Sequence, residues 1–403
     1  MSRLLAVALS LFIAATAIRT TAQTAHPQRF GMNVRQGQQI FRFDTFGDEQ
    51  LWTTTLQMHT ALTSVSPKTA LSVGLKVDAD ALPAEIIAAL KAGTVPLNDP
   101  AVTLQLLSLN AVVGVIGKVN GGSLTSVGVT CALCHSTVDD SVVPGVGKRL
   151  DGWPNTTLNV GAIIALSRVL TDAEKAVFNS WGPGKYDPRM HAFTGTGFVT
   201  LHPGTLPVVL PPAYGLKQAG FETFTGDGPI SYWNNYVAVT QMGGHGSFSD
   251  ARIGLNIVQT PDLVTPKLPA LLDYQLSLTT PEPPPNSYDK AAAQRGKQLF
   301  KGIARCETCH REPALTDVLI GPRREEPFLH SPFETGMEPV YATRSPTGLY
   351  RTTPLRGLWQ HPPYFHDGSA PTLAAVVEHY DKALSLGLTS AQKAELVEYL
   401  KSL

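Results

Sequence analysis

All four cysteines of this chain lie in two Cys-x-x-Cys-His segments, Cys131-Ala132-Leu133-Cys134-His135 and Cys306-Glu307-Thr308-Cys309-His310. Cysteines three apart on a helical turn point the same way and reach the two vinyl groups of one porphyrin. The adjacent histidine then swings beneath the ring and ligates iron as a proximal ligand. The pattern is the attachment signature of c-type haem. Two complete copies with no cysteine left over predict two covalently bound haems.

Other uses of the cysteines fit less well. Disulfide frameworks belong to short, cysteine-rich chains, whereas this one has 403 residues. A thioredoxin-type Cys-x-x-Cys has no need of a following histidine, twice. A four-cysteine zinc site would join distant pairs and leave both histidines unexplained.

The N-terminus agrees with haem attachment, which takes place outside the bacterial cytoplasm. Arg3 precedes the apolar run Leu4 to Ala17, and Thr20, Thr21 and Ala22 follow. That run is too short for a membrane span, and no second long apolar run exists. Residues 1–22 therefore read as a signal peptide cleaved near Ala22, or alternatively at Ala17. A periplasmic or secreted protein without a transmembrane span is expected. Lysine plus arginine (32) balances aspartate plus glutamate (32), which argues against a nucleic-acid partner. Glycine (35) and proline (31) are spread throughout, so long ordered loops should surround a modest number of helices.

The motifs need elements to hold them. The stretch Thr279-Thr280-Pro281-Glu282-Pro283-Pro284-Pro285-Asn286-Ser287 reads as an extended proline-rich linker. It divides an N-terminal haem domain with insertions, residues 23–278, from a C-terminal cytochrome c domain, residues 288–403. The latter should open with a helix over Tyr288 to Phe300. It should close with one signalled by Thr389 at the N-cap and Gln392 three residues on, its apolar face made by Leu396, Val397 and Leu400. A helix before the haem motif and another at the end is the layout of a small cytochrome c domain. The expected fold is mainly α: two cytochrome c-like units with long loops. Strands should be few and short, as hairpins near Leu206 to Leu210 and Tyr236 to Thr240.

Within the C-terminal unit, Tyr350-Arg351-Thr352-Thr353-Pro354-Leu355-Arg356-Gly357-Leu358-Trp359 leads into Pro363-Tyr364-Phe365-His366-Asp367-Gly368-Ser369. Pro371-Thr372-Leu373 and Val376-Val377-Glu378-His379-Tyr380 follow. This stretch resembles the C-terminal haem domain of the bacterial dihaem cytochrome c peroxidase superfamily. That superfamily includes the methylamine-utilisation dihaem enzyme and the dihaem rubber oxygenases. The N-terminal part is similar to the rubber-oxygenase branch. The likeness rests on Ile40-Phe41-Arg42-Phe43-Asp44-Thr45-Phe46-Gly47-Asp48-Glu49 with Trp52, on Val127-Gly128-Val129-Thr130 before the first motif, and on Leu150-Asp151-Gly152-Trp153-Pro154-Asn155 after it. The chain is much shorter than those oxygenases, so their substrate channel is not carried over.

The sixth ligands decide what each haem can do, because an open iron position binds peroxide or oxygen and a filled one shuttles electrons. For the second haem, on Cys306, Cys309 and His310, the resemblance places Tyr380 at the distal position. His366 would instead give a bis-histidine haem, and Met337 an ordinary small cytochrome. Arg356 is expected to bind the cofactor. For the first haem, on Cys131, Cys134 and His135, no histidine occurs from Ser136 to Trp181, which suggests an open iron. Met190, His191, His202, Met242 and His245 are later candidates. The rubber-oxygenase resemblance points instead to distal aromatics at Tyr232, Trp233 and Phe248, an apolar lining that favours gas or peroxide over water.

Peroxidases of this superfamily move a proton with a distal glutamate. Asp172, Glu174, Asp187, Glu222 and Asp227 are the acidic residues between Trp153 and Asn234, none in a recognisable context. His245, flanked by Gly243, Gly244 and Gly246, is an alternative acid–base group. Two classes follow: an oxidoreductase with one reactive haem and one electron-storing haem, or a plain dihaem carrier. Either implies a small redox protein as partner, and the enzyme adds peroxide or oxygen. The resemblance also allows a calcium ion between the domains. Trp153 or Trp359 would lie between the haems.

Overall fold

The computed structural model describes residues 30–218, 220–318 and 327–403, so the expected signal peptide lies outside the described residues. Two crossing helix pairs organise the molecule. In the first, Phe30–Phe43 packs on Leu268–Ser277. In the second, Lys290–Lys301 packs on Ser390–Lys401. Both crossings use the same device. A Cβ at Gly37 would strike the Ala270 carbonyl oxygen, and one at Gly296 would strike that of Glu395. Glycine therefore lets backbone meet backbone. An aromatic pair locks each crossing: Phe41 against Tyr274, with ring centres 5.5 Å apart, and Phe300 against Tyr399, 5.2 Å apart.

Local signals set the helix ends. Asp289 accepts from the amides of Ala291 (2.8 Å) and Ala292 (3.0 Å), so the opening helix starts at Lys290 rather than Tyr288. Thr389 and Gln392 form the expected capping box, and Leu396 and Leu400 are buried beneath it. The apolar cores are correspondingly separate. A large one centres on Phe41, Phe46, Leu158, Tyr236 and Leu271, and a smaller one on Phe300, Leu358, Leu396 and Tyr399.

Strands among the described residues form seven two-stranded sheets, each short. The longest hairpin, Val115–Asn120 with Ser123–Val129, turns at Gly121 and Gly122, both with positive φ, and delivers the chain to Thr130 and Cys131. The two hairpins expected from the sequence are corrected. Val208–Val209 does pair, but with Lys185–Tyr186 rather than locally. Tyr236 to Thr240 is helical: Ile230–Tyr236 is an α-helix that widens into a π-turn over Val237–Gln241. Tyr236, Ala238, Val239 and Thr240 are all buried. A short apolar run buried on every side carries no period to tell helix from strand.

Residues 279–287 contain neither helix nor strand, and Pro281 accepts from the Trp359 indole at 3.5 Å. Beyond the second motif, residues 330–370 lie against the N-terminal unit. Arg351 donates to the Phe221 carbonyl (2.8 Å), Arg344 to Asp187 (3.1 Å), Lys185 to the Asp367 carbonyl (2.7 Å), and the Val209 amide to the His366 carbonyl (2.8 Å). Val208, Tyr341, Ala342 and Tyr350 share a small core at this seam. No helix among the described residues is long and apolar enough to cross a membrane.

Candidate functional site

The first motif forms one helical turn, Ala132–His135, gripped at both ends. Before it, the buried Asp48 carboxylate accepts from the Val129 amide (3.0 Å), and the Thr130 hydroxyl donates to the Arg42 carbonyl (3.1 Å). After it, the Gly152 amide donates to the His135 carbonyl (2.8 Å) and the Asn155 amide to the Cys134 carbonyl (2.9 Å). These bonds occupy carbonyls that a terminating helix would leave open, and they explain why Asp151 to Asn155 accompanies the motif. Asp151 also holds Ser136 (2.8 Å), Arg42 (2.5 Å) and Tyr274, tying the motif to the crossing helices.

Cys131, Cys134 and His135 face one cavity of about 650 Å³, within the roughly 300–1,000 Å³ of ligand sites. Burial pushes both thiols up to about 12 and lowers the His135 imidazole. The Pro211 carbonyl lies 3.1 Å from His135 Nδ1, which leaves Nε2 for iron. Of the sequence-derived candidates, Trp233, Met190, His191, His202 and Met242 line this cavity. Tyr232 and Phe248 stand behind Trp233. Tyr232 donates to Asp250 (2.6 Å), and the Phe248 ring packs 5.3 Å from that of Tyr236.

His245 does not line the cavity. Its amide donates to the Phe46 carbonyl (2.8 Å) and its own carbonyl accepts from Leu263 (2.8 Å). The neighbouring glycines close on Leu51, Phe46 and Val264. The small residues therefore serve packing against the segment that follows the Phe30–Phe43 helix and against Val264.

The cavity gives a setting to polar groups that the sequence named without a context. Glu222 lines it, with Oε2 3.0 Å from Arg351 and Oε1 buried with no hydrogen-bond partner among the described residues. Burial raises this carboxyl above its usual range, more than Arg351 lowers it. Among the described residues the Trp233 indole nitrogen likewise has no hydrogen-bond partner, in a ring that lines the cavity. Its face carries the Arg189 guanidinium, 5.0 Å from the ring centre, and Arg189 pairs with buried Asp227. Asp187, also on the wall, receives Arg344, Thr205 (3.0 Å) and the Leu206 amide (2.6 Å). Asp172 and Glu174 sit in the first turn of the helix Asp172–Asn179; Thr171 caps it, and Glu174 completes the capping box.

At the second motif, Cys306–Thr308 is a 3₁₀ turn, and the Leu315 carbonyl lies 3.0 Å from His310 Nδ1. Nε2 is again left for iron. Burial and the Coulombic influence of Cys306 and Cys309 raise the phenol of half-buried Tyr380. His366 lies elsewhere, at the seam between the units. Its Nε2 is 3.1 Å from the Tyr350 hydroxyl, and its ring stacks on Tyr341 at 5.3 Å. Met337 packs on the same small core. Arg356 donates to the Pro313 carbonyl (2.6 Å), three residues past His310. Cys309, Asp317 and His330 cluster beside the motif, and His330 is pushed up to about 11, chiefly by Asp317. Trp153, just past the first motif, meets Trp359 edge to face at 5.6 Å. Tyr214 beside them donates to Gln360 (3.0 Å).

Both motifs fit a c-type haem. Each offers two thiols and an imidazole with Nδ1 engaged, and the first opens on a cavity of suitable size.

Comparison with known proteins agrees. Residues 348–383 match the family model described as RoxA-like, cytochrome c-like. The chain is similar to the cytochrome-c peroxidase IdrP2 of Pseudomonas sp. (strain SCT), at 33% identity over 28% of this chain and 39% of that protein. It is also similar to the methylamine utilization protein MauG of Methylorubrum extorquens, at 29% identity over 33% and 42% respectively. Among solved structures it is similar to a MauG-like protein associated with microbial copper homeostasis, at 20% identity and TM-score 0.36, covering 54% of this chain and 85% of that one. The family model and the sequence relatives bear out the resemblance to the dihaem cytochrome c peroxidase superfamily. The chain spans less than half the length of the curated relatives it matches.

Proposed function

We propose that this chain is an exported dihaem c-type cytochrome with oxidoreductase activity toward peroxide or dioxygen. The observation that carries the reading is the 650 Å³ cavity. It joins both thiols and His135 to Trp233 and Glu222, whose indole nitrogen and Oε1 are buried with no hydrogen-bond partner among the described residues. Haem 1 would be held by Cys131 and Cys134 with His135 as proximal ligand. Haem 2 would be held by Cys306, Cys309 and His310, with Tyr380 as distal ligand and Arg356 at its edge. A haem with an open axial position binds and activates peroxide or oxygen.

The chain's own groups supply the rest. Apolar walls at Leu51, Val160, Ile164 and Val237 keep water out and strengthen each polar contact made inside. The Trp233 N–H donates to an oxygen atom that enters. Glu222 Oε1 takes a proton from the incoming molecule or returns one, while Arg351 steadies Oε2. Its upward-shifted carboxyl exchanges protons nearer neutral pH than a free glutamate does. A small redox protein would supply or accept electrons, and the expected location is the periplasm.

Cyanide binding tests this. One cyanide per chain, with the second haem spectrally unchanged, is the expected stoichiometry; two, or none, would overturn it. A second reading, the plain carrier, draws on His191, which lines the same cavity and whose Nδ1 has no hydrogen-bond partner among the described residues. It requires two low-spin haems and no cyanide uptake.

A further inference from the structure

A second cavity, of about 90 Å³, lies beside the first. Met58, Leu75, Leu107, Val112, Val115 and Leu133 form much of its wall, and no polar atom is exposed to it. Thr103, one of two polar residues on the wall, donates its hydroxyl to the Val65 carbonyl at 2.7 Å. The other, Lys76, is half-buried, and a lysine can lay its apolar stem on such a wall with its ammonium in water.

Water entering this chamber would forfeit its hydrogen bonds. A buried water needs two to four polar partners and roughly 10–15 Å³; the chamber has the room and lacks the partners. Cavities of this kind stay dry and take up apolar atoms or gases. Trp52, Val129 and Leu133 line both this chamber and the haem 1 cavity. Leu133 stands between Cys131 and Cys134, so a molecule in the chamber is one side chain away from the first motif.

We infer that this chamber is a binding site for a small apolar gas, dioxygen, held next to haem 1. The inference rests on the open-haem reading and deepens it. Hydrogen peroxide, with two hydroxyl groups to satisfy, pays the same desolvation penalty as water and has no place there. Dioxygen has no such groups. A chamber of this chemistry on the wall of the reactive cavity favours dioxygen as the oxidant.

Xenon is the probe. Crystals of the haem-loaded protein under xenon pressure should show density between Leu107, Val112 and Leu133; its absence overturns the site. Ala70→Leu, at a half-buried wall position, should fill the chamber and abolish the xenon density. It should also slow oxidation of the reduced protein by dioxygen, leaving oxidation by peroxide and the cyanide stoichiometry unchanged. Equal slowing with both oxidants overturns the dioxygen assignment. Xenon density in a protein with two low-spin haems and no cyanide uptake overturns the open-haem reading and leaves the gas site standing.

Discussion

At the scale of single residues, the attachment groups were legible because covalent chemistry fixes their spacing. The groups that surround the cavity were legible only in part: Met190, His191, His202, Trp233 and Met242 were named and do line it, but without roles. Glu222 sits in a loop with no motif around it, and only the tertiary fold sets it on the wall of the first motif's cavity. His245 shows the opposite error: glycines on both sides signalled a close approach, and the sequence could not say to what. The approach is to Phe46, Leu51 and Val264. Glu222 has a testable pH signature. Its carboxyl is raised from 4.5 by burial, so folding favours its protonated form. The stability it contributes is complete below pH 4.5 and is lost as pH rises through the shifted value. Glu222→Gln keeps an acceptor for Arg351 and removes the ionisation. Melting temperatures of the variant should therefore gain on the parent as pH rises above 4.5, and a gap independent of pH would refute the upward shift. Peroxide turnover should also fall in the same variant if Oε1 moves the proton.

Tyr380 makes the second residue-scale case. It stands on the helix Leu373–Ala383, its ring 6.0 Å from that of Phe365 and within Coulombic reach of Cys306 and Cys309, whereas His366 is hydrogen-bonded with Tyr350 at the seam. Tyr380→Phe should convert the low-spin haem to another spin state in the visible spectrum. His366→Ala should leave that spectrum alone and lower the melting temperature, because it removes a buried ring from between Tyr341 and Tyr350. The reverse pattern would assign the distal role to His366.

At the scale of elements, the terminal helices of the C-terminal unit were readable from caps and apolar period, since both act within a few residues. The helix through Tyr236 to Thr240 was not, because its apolar surface is complete and its neighbours come from remote segments. What the sequence could not show is that both helix crossings depend on a glycine. Gly296→Ala separates two effects. Helix propensity alone favours alanine by about 1 kcal/mol. The new Cβ, however, meets the Glu395 carbonyl oxygen, which cannot move without shifting the closing helix. Forcing an extra carbon into such a contact costs roughly 1–3 kcal/mol, so the crossing should win. Net destabilisation of the C-terminal unit in denaturant titrations is expected. A neutral or stabilising result would mean that the helices can slide apart freely.

At the scale of the whole molecule, the proline-rich segment marked a division that the fold then bridges. Residues 330–370 follow the second motif in sequence and yet complete the wall of the first cavity through Tyr341 and hold its carboxylates through Arg344 and Arg351. No local signal announces this, since its partners are a hundred or more residues away. The consequence is that residues 330–370 are bonded to the unit that carries the first motif, and the Trp153–Trp359 contact joins the two halves of the chain as well. Trp153 follows the motif clamp at Gly152. Trp359 follows Arg356 and Gly357, next to the Pro313 loop. The edge-to-face indole pair at 5.6 Å joins the segment just past the first motif to the C-terminal unit, and the Trp359 N–H donates to the Pro281 carbonyl. Trp359→Phe keeps an aromatic body and removes the anchor and the indole. If electrons pass this way, flash reduction of one haem should reach the other more slowly in the variant, with both spectra, the cyanide stoichiometry and the melting temperature close to the parent's. Unchanged transfer with unchanged spectra would make the pair a packing contact that fixes the angle between the units and nothing more.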